Sequence, residues 1–370
     1  MKNNNIENIL MTDYIYILYN EDMTLCIKEK DYVYKNELIL KNEIKNIYST
    51  VSGKLLGLTY INKKRYLVIE NDYKEKTEKR IVSRKNINNY KKEEVKDLIK
   101  KYNILDNFDI NSKVLIINGI DEFNSELTYK TILKENVIKI LDTIDALIEI
   151  MNIKKCFLAI SNDDNECVSS LLNNLGTYPK IDLKLFKNDN IIGKKEILID
   201  KLTRYKTKKY NIQYLNIIDV LNIYNVLRKH IPASSTYITI SGDLCNINEV
   251  KKVNIGTNLA DIINEYGIGK TNNIIINGLL NGIHIKNLNY IIDKNTRSIY
   301  INSDIKYPET ECINCGYCYK ICPIKINPKY MYFNKDKKSK EYKTKCINCG
   351  MCSYVCPSKI DLNKGCAKND

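Results

Sequence analysis

The sequence predicts a multidomain chain of mixed α/β and all-β parts that closes in a small metal-cluster domain. Three observations carry this prediction. Short apolar or alternating runs separated by turn residues fill positions 1–75 and recur within 231–303. Between them, strand-length apolar runs alternate with stretches whose apolar residues recur at helical spacing. Finally, one cysteine pattern appears twice near the C-terminal end. The expected parts are 1–75, 76–230, 231–303 and 304–370.

In the first part, strands are expected at 14–19, 25–28, 30–39, 48–57 and 66–71. Strands this short and this close make a small barrel or sandwich. The rhythm around Asp31, Val33, Lys35 and Glu37, followed by Val51, Ser52, Gly53 and Lys54, resembles a lipoyl-like barrel-sandwich hybrid. No lysine stands at a displayed hairpin tip for lipoylation, so a scaffold role is expected.

The second part opens highly charged and enters a helix at 91–102, with Val95, Leu98 and Ile99 on one face. A buried strand at 113–119 runs into a turn. A helix follows at 135–152, where Ile138, Leu141, Ile144, Leu147, Ile148 and Met151 keep helical spacing. Then come a strand at 156–160, a helix at 165–175, a strand at 180–186 and a helix at 219–229. This alternation predicts an α/β domain. In the third part, strands at 236–243, 250–257 and 273–278 surround a helix at 259–266. Asn258 or Thr257 is its N-cap and Gly267 its stop. Strand, strand, helix, strand is the order of a β-grasp module.

The fourth part carries the chemistry. Cys312, Cys315, Cys318 and Cys322-Pro323 repeat as Cys346, Cys349, Cys352 and Cys356-Pro357. Each run is C-x2-C-x2-C-x3-C-P, the bacterial ferredoxin pattern, in which the fourth cysteine serves the other cluster. The expected ligand sets are therefore Cys312, Cys315, Cys318 and Cys356 for one 4Fe-4S cluster, and Cys322, Cys346, Cys349 and Cys352 for a second. Each proline lacks an N–H and fixes φ, turning the chain away. Gly316 and Gly350 are expected to let the backbone approach the sulfurs. Four-cysteine zinc sites and disulfides are the competing explanations. Zinc needs only four ligands and leaves the third cysteine and the Cys-Pro of both runs unexplained.

Composition narrows the rest. Of 13 cysteines, Cys26, Cys156, Cys167 and Cys245 are expected to be small apolar residues, and Cys366 an exposed thiol in a polar tail. His230 and His284 are the only histidines; neither has a metal-like partner nearby in sequence, so both are expected to be structural. No run of 18 apolar residues and no signal-peptide pattern occurs, so a cytoplasmic protein is expected. The net charge of +14 comes with abundant Lys, Asn, Ile and Tyr throughout, and no patterned basic patch favours nucleic acid. No nucleic-acid partner is expected; a basic surface meeting an acidic electron-transfer protein suits the charge better.

Taken in order, these parts resemble the RnfC-like family, the C subunits of Rnf-type electron transport complexes, whose related soluble forms serve anaerobic reductases such as proline reductase. The resemblance rests on Val51-Ser-Gly-Lys54 with 68–72, Leu115-Ile-Ile-Asn-Gly119, 239–243 with 253–257, and both cysteine runs. It implies a β-grasp segment of the SLBB type and an α/β domain related to the NADH- and FMN-binding subunit of complex I. This sequence departs from the family at that domain. The stretch corresponding to the family's glycine-rich loop, 102–111, has no glycine and carries Asp106 and Asp109. In the following turn Asn118 and Gly119 are kept and Asp121 could replace the first Glu. Phe123 and Asn124 stand where Glu and Pro are expected. Neither NADH nor FMN is expected to bind tightly, and the domain reads as degenerate and kept for its fold.

The expected function is an electron-transfer iron-sulfur protein with two 4Fe-4S clusters, relaying electrons between a reduced donor and a redox partner. It is a redox subunit of an oxidoreductase complex rather than a complete enzyme, with no catalytic residues of its own. One alternative is an NADH-oxidising flavoprotein subunit of an ion-translocating or anaerobic reductase complex. Another is an assembly module in which clusters only brace the fold. Expected partners are other redox subunits, and the lack of a membrane span still permits peripheral docking at the cytoplasmic membrane.

Overall fold

The computed structural model describes residues 9–365, except 29–30, 78–84, 188, 190, 204–210, 246, 269–272, 286 and 304–307; Cys366 lies outside these. Near the N-terminus two small antiparallel sheets pack together. One has the order Tyr14–Leu18, Lys64–Asn71, Gly53–Ile61, Tyr32–Val33; the other has Thr24–Leu25, Leu38–Lys41, Asn46–Tyr48. Alternation along Tyr14–Leu18 turns Ile15 and Ile17 inward, where they meet Val33, Ile39, Leu40, Leu55, Leu67 and Ile69 in one core.

The α/β part is built on a fully parallel sheet with the order Ile181–Phe186, Lys155–Ser161, Val114–Gly119, Ile212–Asn216. Parallel strands need crossovers, and the crossovers cover both faces. One face packs on helices Lys92–Lys101, Thr128–Met151, Asn165–Leu175 and Ile217–Lys229, and the other on Lys195–Thr203. The central strand Val114–Gly119 is accordingly buried at every position. Helix Lys195–Thr203 and strand Ile212–Asn216 are additional to the sequence expectation, and helix Thr128–Met151 starts before 135.

The third part is a six-stranded mixed sheet with the order Ile9–Leu10, Asn248–Asn254, Ser235–Ser241, Ser298–Asn302, Asn273–Ile276, Ile283–Ile285. Its central pair, Ser235–Ser241 with Ser298–Asn302, is parallel. Helix Leu259–Glu265 seals one face through Leu259, Ile262 and Ile263, capped by Asn258, whose side chain accepts the Ala260 N–H. Ile9–Leu10 pairs in parallel with Lys252 and Val253, so this segment lies on the mixed sheet although it precedes the N-terminal pair of sheets in sequence.

The last part is a set of short helices: Tyr317–Ile321, Pro328–Phe333, Lys337–Lys345 and Met351–Tyr354. Asn327 and Asp336 cap the middle two, and Pro328 takes the first helical position, where its missing N–H costs nothing. Among the described residues, no helix is long and apolar enough to cross a membrane.

Candidate metal centre

The two cysteine runs fold into the same local structure. Asn314 and Asn348 have φ of 58° and 51°, Gly316 and Gly350 74° and 75°, and Lys325 and Lys359 both 56°. Each glycine caps a short helix, and its carbonyl accepts two N–H groups at 3.1 Å (Tyr319 and Lys320; Ser353 and Tyr354). Each Cys-Pro opens a tight turn: the Lys325 N–H donates to the Cys322 carbonyl at 3.2 Å, and that of Lys359 to Cys356 at 3.1 Å. Proline suits the second position of such turns because its φ is already set.

The runs then exchange their last cysteines. Cys312, Cys315, Cys318 and Cys356 line one cavity of about 150 Å³. Cys322, Cys346, Cys349 and Cys352 line a second, smaller one. The cavities adjoin, since Cys352 packs with Ile360 and Leu362 against Cys312, Cys318 and Cys356. Apart from its thiols and Asn363, the second cavity is walled by apolar groups such as Ile324, Ile326, Met331 and Met351, with no charged side chain. The first has one charged lining residue, Lys329. Among the described residues, no three or more His, Cys, Asp or Glu side chains converge tightly enough for a single metal ion. The thiols are instead spread around two hollows.

The donor chemistry fits iron-sulfur clusters. Four thiols per hollow are the donor set that a thiolate-ligated 4Fe-4S cluster requires. Burial pushes the Cys349 thiol up to about 11, opposed by the Met351 N–H and the Lys194 ammonium. Cys318 and Cys322 are likewise raised by burial and lowered by backbone N–H groups. Coordination to a cation reverses that preference and removes the proton. The Asn348 N–H donates to Cys346 Sγ at 3.4 Å, a bond that favours charge on sulfur.

The two hollows face different surroundings. Cys315 is exposed, and Ile313 and Tyr317 beside it are 67% and 53% exposed. Cys322, Cys349 and Cys352 are buried. The second hollow's edge is docked on the rest of the chain: Asn281 Nδ2 donates to the Asn348 carbonyl at 2.9 Å, and Ile347 packs with the Val114, Ile116 and Ile197 cluster. The two glycines meet different surroundings. A Cβ on Gly316 would meet nothing within 4 Å, whereas one on Gly350 would sit 2.1 Å from the Leu280 carbonyl oxygen. Both are required by positive φ, and Gly350 also by contact with the mixed-sheet part.

At the carboxyl ends of the parallel strands, where open α/β sheets bind ligands, the sequence missed a buried acidic turn. Asn118 bridges the Gly193 carbonyl and the Ile120 N–H, at 2.9 Å each. Asp121 accepts the N–H groups of Tyr129 and Lys130 at 2.8 and 3.3 Å, at the start of helix Thr128–Met151. Desolvation pushes its carboxyl up to about 6, against those two bonds. Glu126, which accepts the Ser298 hydroxyl at 2.7 Å, is pushed up to about 8 by desolvation and then by Asp121. Phe123 is buried against Gly278. Asp121 at the position of an expected Glu was the one available signal. The stretch 102–111 precedes the amino end of Val114–Gly119, with Asp109 holding Asn111, Ser112 and Asn211. His230 ends helix Ile217–Lys229 in the left-handed region and lies 3.5 Å from the Tyr90 hydroxyl; His284 is exposed.

A family model described as a 4Fe-4S dicluster domain matches residues 311–360. The chain is 26% identical over 338 residues to the C subunit of the proton-translocating ferredoxin:NAD(+) oxidoreductase complex of Clostridium ljungdahlii, covering 82% of this chain and 73% of that protein. It is 24% identical over 240 residues to the C subunit of the ion-translocating oxidoreductase complex of Buchnera aphidicola, covering 61% and 50%. To the corresponding Haemophilus influenzae protein it is 27% identical over 246 residues, covering 62% and 30%. The chain thus spans half the Buchnera relative's length and less than a third of the Haemophilus one's. A solved NAD+-reducing NiFe hydrogenase in the H2-reduced state aligns with 55% of this chain and 42% of its own, at TM-score 0.42 and 10% identity, too low a likeness to carry an argument. With a 4Fe-4S dicluster model matching near one end and these relatives aligning along most of its length, the chain is similar to the C subunit of ion-translocating oxidoreductase complexes.

Proposed function

We propose that this chain is an electron-transfer iron-sulfur subunit of an Rnf-type complex, relaying single electrons between a reduced donor and a redox partner. The observation that carries it is the sorting of the repeated cysteines into two adjoining hollows, each holding three from one run and one from the other. Cys312, Cys315, Cys318 and Cys356 are the ligands of one cluster, and Cys322, Cys346, Cys349 and Cys352 those of the second. Bound there, 4Fe-4S clusters exchange single electrons at potentials set by their surroundings, within a range of roughly −700 to +450 mV. The chain's own residues set those surroundings. Ile324, Ile326, Met331 and Met351 exclude water from the inner hollow, the Asn348 N–H favours charge on Cys346 Sγ, and the exposed rim at Cys315 is where a partner approaches.

The finer assignment of parts belongs to the same proposal. The paired N-terminal sheets form a lipoyl-like barrel-sandwich hybrid. The mixed sheet is a β-grasp (SLBB) module, supported by its hairpin, its single helix and its central parallel pair. The partners are other subunits of a redox complex, and membrane association runs through them. An NADH-oxidising flavoprotein is the weaker alternative. Anionic phosphates favour free helix N-termini, and here the Asp121 carboxylate already holds that of Thr128–Met151. Glu126, Asp163 and Asp164 line the adjoining cavity.

The test uses anaerobically purified protein with iron and sulfide quantified. About eight irons are expected from two cubanes. Bleaching of the cluster absorbance by dithionite but not by NADH, with or without added FMN, is the expected result. Bleaching by NADH would replace the relay with the flavoprotein, and about four irons would overturn one ligand set.

A further inference from the structure

A cavity of about 340 Å³ lies where the N-terminal sheets, the α/β part and the mixed sheet meet. We infer that it binds a small planar aromatic molecule bearing a hydrogen-bond-accepting oxygen, a carbonyl or a carboxylate. Its volume lies within the range of roughly 300–1,000 Å³ common for small-molecule sites. Its wall carries five aromatic rings, those of Tyr16, Tyr48, Tyr66, Tyr102 and Tyr290, beside aliphatic and polar side chains. The Tyr48 and Tyr102 rings lie 5.5 Å apart, tilted by 31°, and present flat apolar surface.

The polar groups define what the ligand must bring. Most are already engaged. The Tyr48 hydroxyl and Asn46 donate to the Lys101 carbonyl at 2.8 and 3.0 Å. Thr50 donates to the Ile255 carbonyl at 3.0 Å, and Asn62 to that of Asn289 at 2.6 Å. Lys294 pairs with Asp106 at 2.7 Å, and the Asp293 carboxylate accepts from Asn295 and Thr296. Tyr66 is different: only 9% exposed, it lines the cavity, and its hydroxyl makes no hydrogen bond within the described residues. The Tyr16 hydroxyl and the Lys64 ammonium, also in the lining, have no partner among the described residues either. These groups act first as donors, and the one free charge among them is positive. Burial raises the Tyr66 and Tyr16 hydroxyls, aided by the Asp293 and Asp261 carboxylates respectively, so both stay protonated at neutral pH. A buried donor facing an apolar aromatic slot is matched by an acceptor on a flat ring.

The experiment is equilibrium dialysis of the full-length, cluster-loaded protein with two probes, 2-naphthoate and the neutral 2-acetylnaphthalene. Saturable one-to-one binding of at least one is expected. Tyr66→Phe should weaken it by about three- to tenfold, the effect of one net hydrogen bond. Ala233→Trp, which fills the slot, should abolish it. Lys64→Ala separates the two ligand chemistries: a carboxylate site loses affinity for naphthoate alone, whereas a carbonyl site is unaffected. Cluster absorbance and circular dichroism report that each variant is folded. Tyr66→Phe is isosteric and keeps the test decisive if Ala233→Trp does not fold. Failure of both probes to saturate, or binding indifferent to Tyr66→Phe, overturns the inference.

Discussion

Gly316 and Gly350 occupy equivalent places in the two cysteine runs with nearly the same backbone, φ 74° and 75°, so local conformation alone predicts equal sensitivity to alanine. Their surroundings predict otherwise. At Gly316 an added Cβ enters open space, so Gly316→Ala should cost only the left-handed penalty of about 1–2 kcal/mol. At Gly350 the Cβ would lie 2.1 Å from the Leu280 carbonyl oxygen and 2.6 Å from its carbonyl carbon. Backbone atoms cannot rotate aside, so Gly350→Ala carries an overpacking cost of about 1–3 kcal/mol in addition. That extra cost falls on the contact that docks the inner hollow on the rest of the chain. Anaerobic urea titration can follow cluster absorbance for the C-terminal part and far-ultraviolet dichroism for the whole. Gly350→Ala should lose its clusters at clearly lower urea than Gly316→Ala, and bleach faster in air. Equal midpoints for the two variants would refute the docked arrangement of the inner hollow.

Further expectations concern charge and ligands. The Glu126 carboxyl is pushed up to about 8, so the folded state holds its proton more tightly than the unfolded chain. The resulting penalty is absent below the unfolded value near 4.5, grows as pH rises, and is complete above about 8, with an upper bound of about 5 kcal/mol. Glu126→Gln should therefore be more stable than the natural protein at pH near 8.5 and show a flatter stability profile above about pH 5; parallel profiles from urea melts would contradict the buried carboxyl. Cys315→Ser and Cys352→Ser should each lose about four of eight irons. Only the second, at a buried position, should also lower the melting midpoint of the C-terminal part. Full iron in Cys315→Ser would remove it from its ligand set.

Much of the molecule was legible in the sequence because the relevant forces act locally. Cysteine spacing sets which thiols one loop can present together, and strand 113–119 and helix 165–175 announce themselves by apolar periodicity. The misses have local causes too. Helix Thr128–Met151 is interrupted at Asn136, where φ is −129°, which hides its first turns from a periodicity count. Helix Lys195–Thr203 buries Ile197 and Leu198 amid charged neighbours. What only the tertiary structure decided depends on which distant surfaces meet. It places Asp121 on a helix start and Leu280 over Gly350 but nothing over Gly316, and it exposes Cys315 of one hollow while burying Cys322, Cys349 and Cys352 of the other. It also brings Tyr66 and Lys64 to the same cavity as Tyr102 and Tyr290, from three separate parts of the chain. Sequence periodicity reports that a face is buried, but the partner across it is chosen by long-range packing, and function at a junction follows from that choice.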